Sequence, residues 1–303
     1  MYMKKRIVIL LGVILLFLSF DRIIGYTLNI GLEKYFGLNT PAKVLLIGHS
    51  HLMLATDKEG MEASLGVPVA KYCREGVNVA DRYQMVKHYL DTKYADSLKV
   101  VLYGVDQFMF TGEGLSANSY KLFYPFMDDQ VMDNYIRKEA LPLDYWQHKL
   151  ICTTRYSDAL LNSAFRGLLS NWSNYKFGHL DVQQLQHDLN MGKQRRICFE
   201  KKLIDLFEET LELLMGKGVR IVLVNTPIAQ LLNEYEPDTY HKVIDYFKNL
   251  DKQNDLIYYL DFNPKYSGKY DLFFDPIHVN PEGQKVLSRE IDSFILKNEI
   301  CDL

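Results

Sequence analysis

A nearly unbroken apolar run, Ile7 to Phe20, stands behind Lys4, Lys5 and Arg6 at the start of the chain. As a helix it spans roughly 21 Å at 1.5 Å per residue, short of the ~30 Å hydrocarbon core of a bilayer. After Asp21 and Arg22, apolar residues return at helical spacing: Ile23, Ile24, Leu28, Ile30 and Leu32. The pattern predicts one long helix from about Ile7 to Leu32. Phe17-Leu18-Ser19-Phe20 puts bulky residues where a signal peptidase needs small ones. An uncleaved signal-anchor is therefore favoured over a cleaved leader or a buried soluble helix. Positive charge ahead of the span holds the N-terminus in the cytoplasm, so the globular part is expected outside it, in the periplasm or at the cell surface.

Further along, short apolar runs punctuated by glycine read as buried strands. They are Lys43–Ile47, Val67–Tyr72, Leu98–Tyr103, Val219–Val224 and Leu256–Leu260. Helical periodicity separates them over Val79–Tyr94, Phe199–Met215 and Pro237–Leu250, and a last helix runs from Asn280-Pro281-Glu282 to about Lys297. Asn at the cap and Pro in the first turn mark that final start. Strands alternating with helices imply parallel pairing in an α/β three-layer sandwich. Such sheets carry their sites at the carboxyl ends of the strands. The stretch from about 108 to 196 breaks the alternation. It lacks a strong strand, is rich in Tyr, Phe and Trp, and is expected to be a mostly helical insertion covering the strand ends. The expected organisation is a membrane helix over residues 1–32 and one α/β domain over 33–303 holding that insertion.

Composition narrows the chemistry. Lys+Arg number 35 against 38 Asp+Glu, a formal charge of −3. A protein that works by neutralising phosphates carries a basic excess, so nucleic acid is a poor partner, and Arg195-Arg196 is too short to be a basic patch. Cys73, Cys152, Cys198 and Cys301 have no CxxC spacing, and the eight histidines show no HxxxH or HExxH pattern. No metal site or cofactor is expected. The cysteines read as isolated thiols.

Two segments carry candidate chemistry. Gly48-His49-Ser50-His51 follows the first strand and puts a hydroxyl at a helix start. On this fact alone Ser50 is equally well a helix cap. Near the other end stands Phe274-Asp275-Pro276-Ile277-His278-Val279-Asn280-Pro281-Glu282-Gly283. Asp275 and His278, three apart before a capped helix, suit a base and the carboxylate that orients it.

Together these segments resemble the SGNH/GDSL hydrolase superfamily over about Lys43 to Lys297, apart from the insertion. The resemblance implies an SGNH/flavodoxin-like parallel sheet, with Ser50 as nucleophile, His278 as base and Asp275 orienting it. It also implies oxyanion donors after the second and third strands. Gly76 matches the first. At the second, Gly104-Val105-Asp106 places an aspartate where the family has asparagine, and a carboxylate accepts hydrogen bonds rather than donating them. Asn78, near Gly76, is a further candidate donor. Arg74 and Arg155 are candidates for an anionic or glycan substrate, or for ion pairs.

A single helix ahead of an SGNH-like domain also resembles the accessory proteins of bacterial envelope O-acylation, of the alginate O-acetyltransferase and teichoic-acid D-alanylation types. That resemblance implies an O-acyltransferase working through a serine acyl-enzyme. The acceptor would be an envelope polysaccharide or a teichoic-acid-like polymer, and the partner a multi-spanning membrane-bound O-acyltransferase. An SGNH carbohydrate esterase, and a non-catalytic binding or assembly subunit that keeps the fold, are the alternatives.

Overall fold

A computed structural model describes residues 2–112, 117–193 and 196–300. Cys301 and Arg195 lie outside them. In chain order the elements are α1 (Tyr2–Phe36), β1 (Val44–Gly48), α2 (Ser50–Ala55), α3 (Lys58–Leu65), β2 (Val69–Cys73), α4 (Val79–Asp91) and β3 (Val100–Val105). There follow α5 (Gln130–Glu139), α6 (Pro142–Leu150), α7 (Asp158–Leu168), α8 (Val182–Asn190), α9 (Lys201–Met215), β4 (Arg220–Asn225) and α10 (Gln230–Asn233). The last are α11 (Pro237–Gln253), β5 (Ile257–Asp261), α12 (Asn263–Tyr266), β6 (Phe273–Asp275), β7 (His278–Val279) and α13 (Pro281–Lys297).

The chain divides into two compact units, residues 1–35 with 118–171, and residues 36–117 with 172–303. The larger unit is the α/β sandwich expected from the sequence. Its five strands pair in parallel in the order β2-β1-β3-β4-β5. β1, β2 and β3 are buried at every position, which is why they appear in the sequence as continuous apolar runs rather than alternating ones. One core layer packs Val44, Leu46, Val100, Leu102, Val222 and Val224 of the sheet against Leu287, Ile291 and Ile295 of α13. Punctuation follows local chemistry. Gly66 ends α3 in the left-handed region, and Asn78 and Asp81 form a reciprocal capping box on α4.

In the smaller unit α1 changes character along its length. From Ile7 to Phe20 its large apolar side chains are exposed, and the helix is long and apolar enough to cross a membrane. From Asp21 on one face is built into folded protein through Asp21, Gly25, Leu28 and Leu32, while Ile23, Ile24 and Tyr26 stay exposed. The Asp21 carboxylate accepts the backbone N–H groups of Cys152 and Thr153 at 2.6 and 2.9 Å and the Thr153 hydroxyl at 2.6 Å. Those N–H groups open the 3-10 turn Cys152–Arg155, so Asp21 caps it from another element. Gly31 and Gly167 bring α1 and α7 into backbone contact, and a Cβ on either would overlap a carbonyl of the other helix. Arg155, an ion-pair or substrate candidate from the sequence, is buried and pairs with Asp128 at 2.8 Å. Cys73, Cys152 and Cys198 are free thiols, the first two buried.

Asp292 of α13 is buried, and burial, with the nearby Asp57 charge adding to it against a Ser64 hydrogen bond, pushes its carboxyl up to about 6. The folded state thus holds this proton more tightly than the unfolded chain, so stability falls as pH rises from about 4 to about 6 and stays lowered above that. Asp292→Asn should stabilise the protein by on the order of 2 kcal/mol at neutral pH, a gain that vanishes near the acid end of this window. Denaturant titrations at the two pH values check it, and an equal effect at both would contradict it.

Candidate active site

The sheet order sets β1 between β2 and β3, so the loops after all three open on one edge. β1 ends at Gly48, and Gly104 lies on the neighbouring strand. A Cβ on either glycine would come within about 3 Å of the Leu52 Cβ, at 2.9 and 3.0 Å. These two missing side chains let α2 descend onto the sheet immediately after β1, which fixes Ser50 in its first turn. His49 is the N-cap residue, and its Nδ1 accepts the His51 backbone N–H at 3.1 Å.

From the other end of the chain, β6 and β7 make a tight antiparallel hairpin opposing Asp275 to His278. Asp275 Oδ1 accepts the backbone N–H groups of Ile277 and His278 at 3.0 and 2.9 Å, locking the turn from within. Asn280 then caps α13 through Glu282 and Gly283 N–H, while its amide donates to the Asp271 carbonyl. Asp275 and Asn280 of this string thus each have a mechanical reason to be there.

The hairpin delivers its imidazole to the serine. His278 Nδ1 donates to Asp275 at 2.7 Å, which leaves Nε2 as the acceptor for the Ser50 hydroxyl, also at 2.7 Å. Burial opposes charge on Asp275, but the His278 contact and the two turn N–H groups outweigh it and hold the carboxyl below its ordinary value. Asp275 therefore stays ionised and keeps His278 in the tautomer that can take a proton from Ser50.

Ser50 and Asp275 line a cavity of about 650 Å³. Gly76 and Asn78 line it too, as do the apolar Phe108, Met109, Leu185, Leu189, Leu232 and Ile277, with Asp188 and Lys193 from α8 and its following turn. Gly76 takes a φ of +79° with open space where a Cβ would stand, so glycine serves the backbone turn there. Asn78 spends its side-chain oxygen on the Asp81 N–H. Arg74 is not among the cavity's lining residues. It is buried, with its guanidinium 5.2 Å from the centre of the Phe36 ring.

Asp106 occupies the expected third-loop position but does a different job. It is buried, accepts His49 Nε2–H at 2.5 Å and the Phe108 N–H at 2.6 Å, and lies 3.8 Å from His51 Nδ1. Burial opposes its charge, yet the neighbouring His49, His51 and Arg82 hold its carboxyl far below the usual range. Ionised, it donates no hydrogen bond and so offers nothing to an oxyanion. The sequence offered no sign of the His49–Asp106 pair, whose members are 57 residues apart. Nor did it mark Arg82, which is fully buried, donates to the carbonyls of Gly104 at 2.6 Å and Asn78 at 3.3 Å, and so ties together the loops carrying Asp106 and Gly76.

His49, His51 and Asp106 also bring three ligand-type atoms within 4.8 Å of one another. With His49 Nδ1 accepting a backbone N–H, its Nε2 carries the proton, so that nitrogen offers a metal no lone pair in this arrangement. His51 is kept neutral by burial, which pushes its imidazole well below the ordinary value, and its Nδ1 is buried without a hydrogen-bond partner among the described residues.

No family model matches the chain, and no curated protein matches it significantly. Among solved structures it is similar to a candidate acylhydrolase from Bacteroides fragilis NCTC 9343, at 14% identity and a TM-score of 0.37, covering 84% of this chain and 86% of that one. It is also similar to a lipase from a goat rumen metagenome, at 10% identity and a TM-score of 0.39, covering 82% and 95%. At this level of likeness nothing about activity transfers. The fold and the hydrogen-bonded serine, histidine and aspartate define, on their own geometry, a hydrolase-like α/β protein.

His49→Ala should strip Asp106 of its main hydrogen-bond donor and cost about 3 kcal/mol, whereas Asp106→Asn keeps an acceptor without the buried charge and should cost about 1 kcal/mol. Denaturant midpoints of the two variants test this. Equal losses would mean that the carboxylate is not charged in the fold.

Proposed function

We propose that the protein is a membrane-anchored serine O-acyltransferase that moves an acyl group through Ser50 to a hydroxyl of a cell-envelope polysaccharide or related polymer. The observation that carries this reading is the 2.7 Å contact of His278 Nε2 with Ser50 Oγ, backed by Asp275 on the other ring nitrogen.

Ser50 Oγ attacks the acyl carbonyl while its proton passes to His278 Nε2. The oxyanion is met by the backbone N–H groups of Ser50 and Gly76, since Asp106 has no proton to give. The carbonyl reforms, and the leaving oxygen departs with the proton from His278, leaving acyl-Ser50. An acceptor hydroxyl then gives its proton to His278 and attacks the ester, and Ser50 recovers the proton as the product leaves. Apolar walls at Phe108, Met109, Leu185, Leu189 and Leu232 suit the acyl portion and keep water scarce, which favours transfer over hydrolysis. The anchor is α1, with the larger unit on the extracytoplasmic side. A polymer acceptor and a multi-spanning acyl-donor partner belong to the same reading. An esterase would use the identical steps with water as the second nucleophile.

Full-length protein in detergent should hydrolyse a chromogenic acetyl ester and take up a serine-reactive phosphonate at Ser50. Ser50→Ala, alone or with His278→Ala, should fall to one common floor about 10³-fold or more lower, because groups acting as a unit are not additive. An undiminished Ser50→Ala variant removes Ser50 from the mechanism. No turnover and no labelling of the wild type would leave a binding subunit. Adding glycan acceptor should divert the acyl group onto the glycan, and its exclusive release to water identifies an esterase.

A further inference from the structure

We infer that α6 is a second membrane contact, its apolar face seated at the headgroup boundary of the bilayer that α1 enters. The inference rests on α1 being a membrane span. Leu143, Trp146 and Leu150 are 83, 53 and 58% exposed, and their spacing puts them on one face of α6. Leu141, just ahead of the helix, is exposed as well.

The opposite face is polar and turned inward. Asp144 accepts the Tyr124 hydroxyl at 2.6 Å and lies 3.3 Å from His148, whose ring stacks on Tyr124. Tyr145 is buried and donates to Asp133, and Lys149 reaches both Asp133 and the Met127 carbonyl. This is the reverse of a water-facing helix, which hides its apolar stripe and shows its charges. The inversion is set by hydrogen bonds, so no simple rotation corrects it.

Position names the occupant. The C-terminal end of α6 is fastened to α1 where that helix first buries one face, beside the still exposed Ile23, Ile24 and Tyr26: Arg22 donates to the Lys149 carbonyl at 3.2 Å, and Asp21 holds Cys152 and Thr153. The outward leucines therefore continue the lipid-facing surface of Ile7–Phe20, and the indole of Trp146 suits an interfacial depth.

The test uses the full chain in phosphatidylcholine vesicles containing brominated phospholipids. Subtracting the emission of Trp146→Phe from that of the wild type isolates the Trp146 indole. It should be shielded from acrylamide, and quenched more by bromine placed near the headgroup than by bromine at the chain ends. A Phe17→Trp, Trp146→Phe variant reports on α1 separately, and its added indole should respond to deep bromine. If that indole is quenched while Trp146 stays open to acrylamide and blind to bromolipid, α6 faces water or a protein partner and the inference fails alone. If the added indole is unquenched at every depth, the spanning helix fails and takes the inference with it.

Discussion

The hydrogen bond between Ser50 and His278 joins residues 228 apart in sequence, and the architecture of the larger unit makes it local. A parallel sheet gathers the ends of its strands on one edge, and β1 sits inside the sheet rather than at its margin. Gly48 and Gly104 remove the atoms that would hold α2 off that edge. The imidazole arrives on a hairpin too short to be stable by itself, so its stiffness is borrowed. Asp275 ties the turn, Asn280 ties the hairpin to α13, and α13 is buried along Leu287, Ile291 and Ile295 against the sheet. A 2.7 Å contact at the edge thus depends on core packing well away from it.

That edge holds two histidine–aspartate pairs wired in opposite senses. In the pair His278–Asp275 the carboxylate takes the Nδ1 proton, and Nε2 is left with a lone pair facing a hydroxyl. In the pair His49–Asp106 the backbone occupies Nδ1, and the Nε2 proton is committed to the carboxylate. The first imidazole can move a proton and the second cannot without breaking its cap. Chemistry is therefore assigned by what holds the other nitrogen, not by nearness to the serine, since His49 is its immediate neighbour. The second pair also sets a buried carboxylate beside the serine, whose charge Arg82 helps to balance while clamping the two loops.

What could be read from the sequence divides along the same physical line. β1 to β4 were legible because burial on both faces leaves continuous apolar runs, β5 is a short apolar run although only half-buried, and the structure places all five within a few residues of the predicted segments. Asp275 and His278 were legible because the turn that joins them is built within the segment itself. The His49–Asp106 pair was not, since neither residue carries a local mark of its partner 57 positions away. Arg82 looked like any charged residue on an amphipathic helix, because burial of a guanidinium depends on carbonyls supplied by other loops. Arg74 reads as available to a substrate until its burial is known. The short β6–β7 hairpin is likewise below the length at which alternation becomes a signal.

Asp21 shows how much one tertiary contact adds to a pattern that composition leaves ambiguous. Apolar residues occur on both sides of it in α1, and nothing in their spacing says where lipid would end. A carboxylate accepting three hydrogen bonds from Cys152 and Thr153 brings a whole polar turn with it, and such a turn does not belong in hydrocarbon. In a spanning α1 the face that carries Asp21 would leave lipid there, although Ile23, Ile24 and Tyr26 stay exposed on the other face, and the run from Ile7 to Phe20 is the part with no buried residue. At roughly 21 Å it falls short of a ~30 Å core. Lys4, Lys5 and Arg6 can make up the difference by laying their methylene stems along the acyl chains with their charges at the opposite headgroups, and local thinning of the bilayer supplies the rest. A spanning helix seated that shallowly would hold its folded end close against the membrane surface, the depth at which an outward-facing row of leucines and an indole on α6 would cease to be a liability.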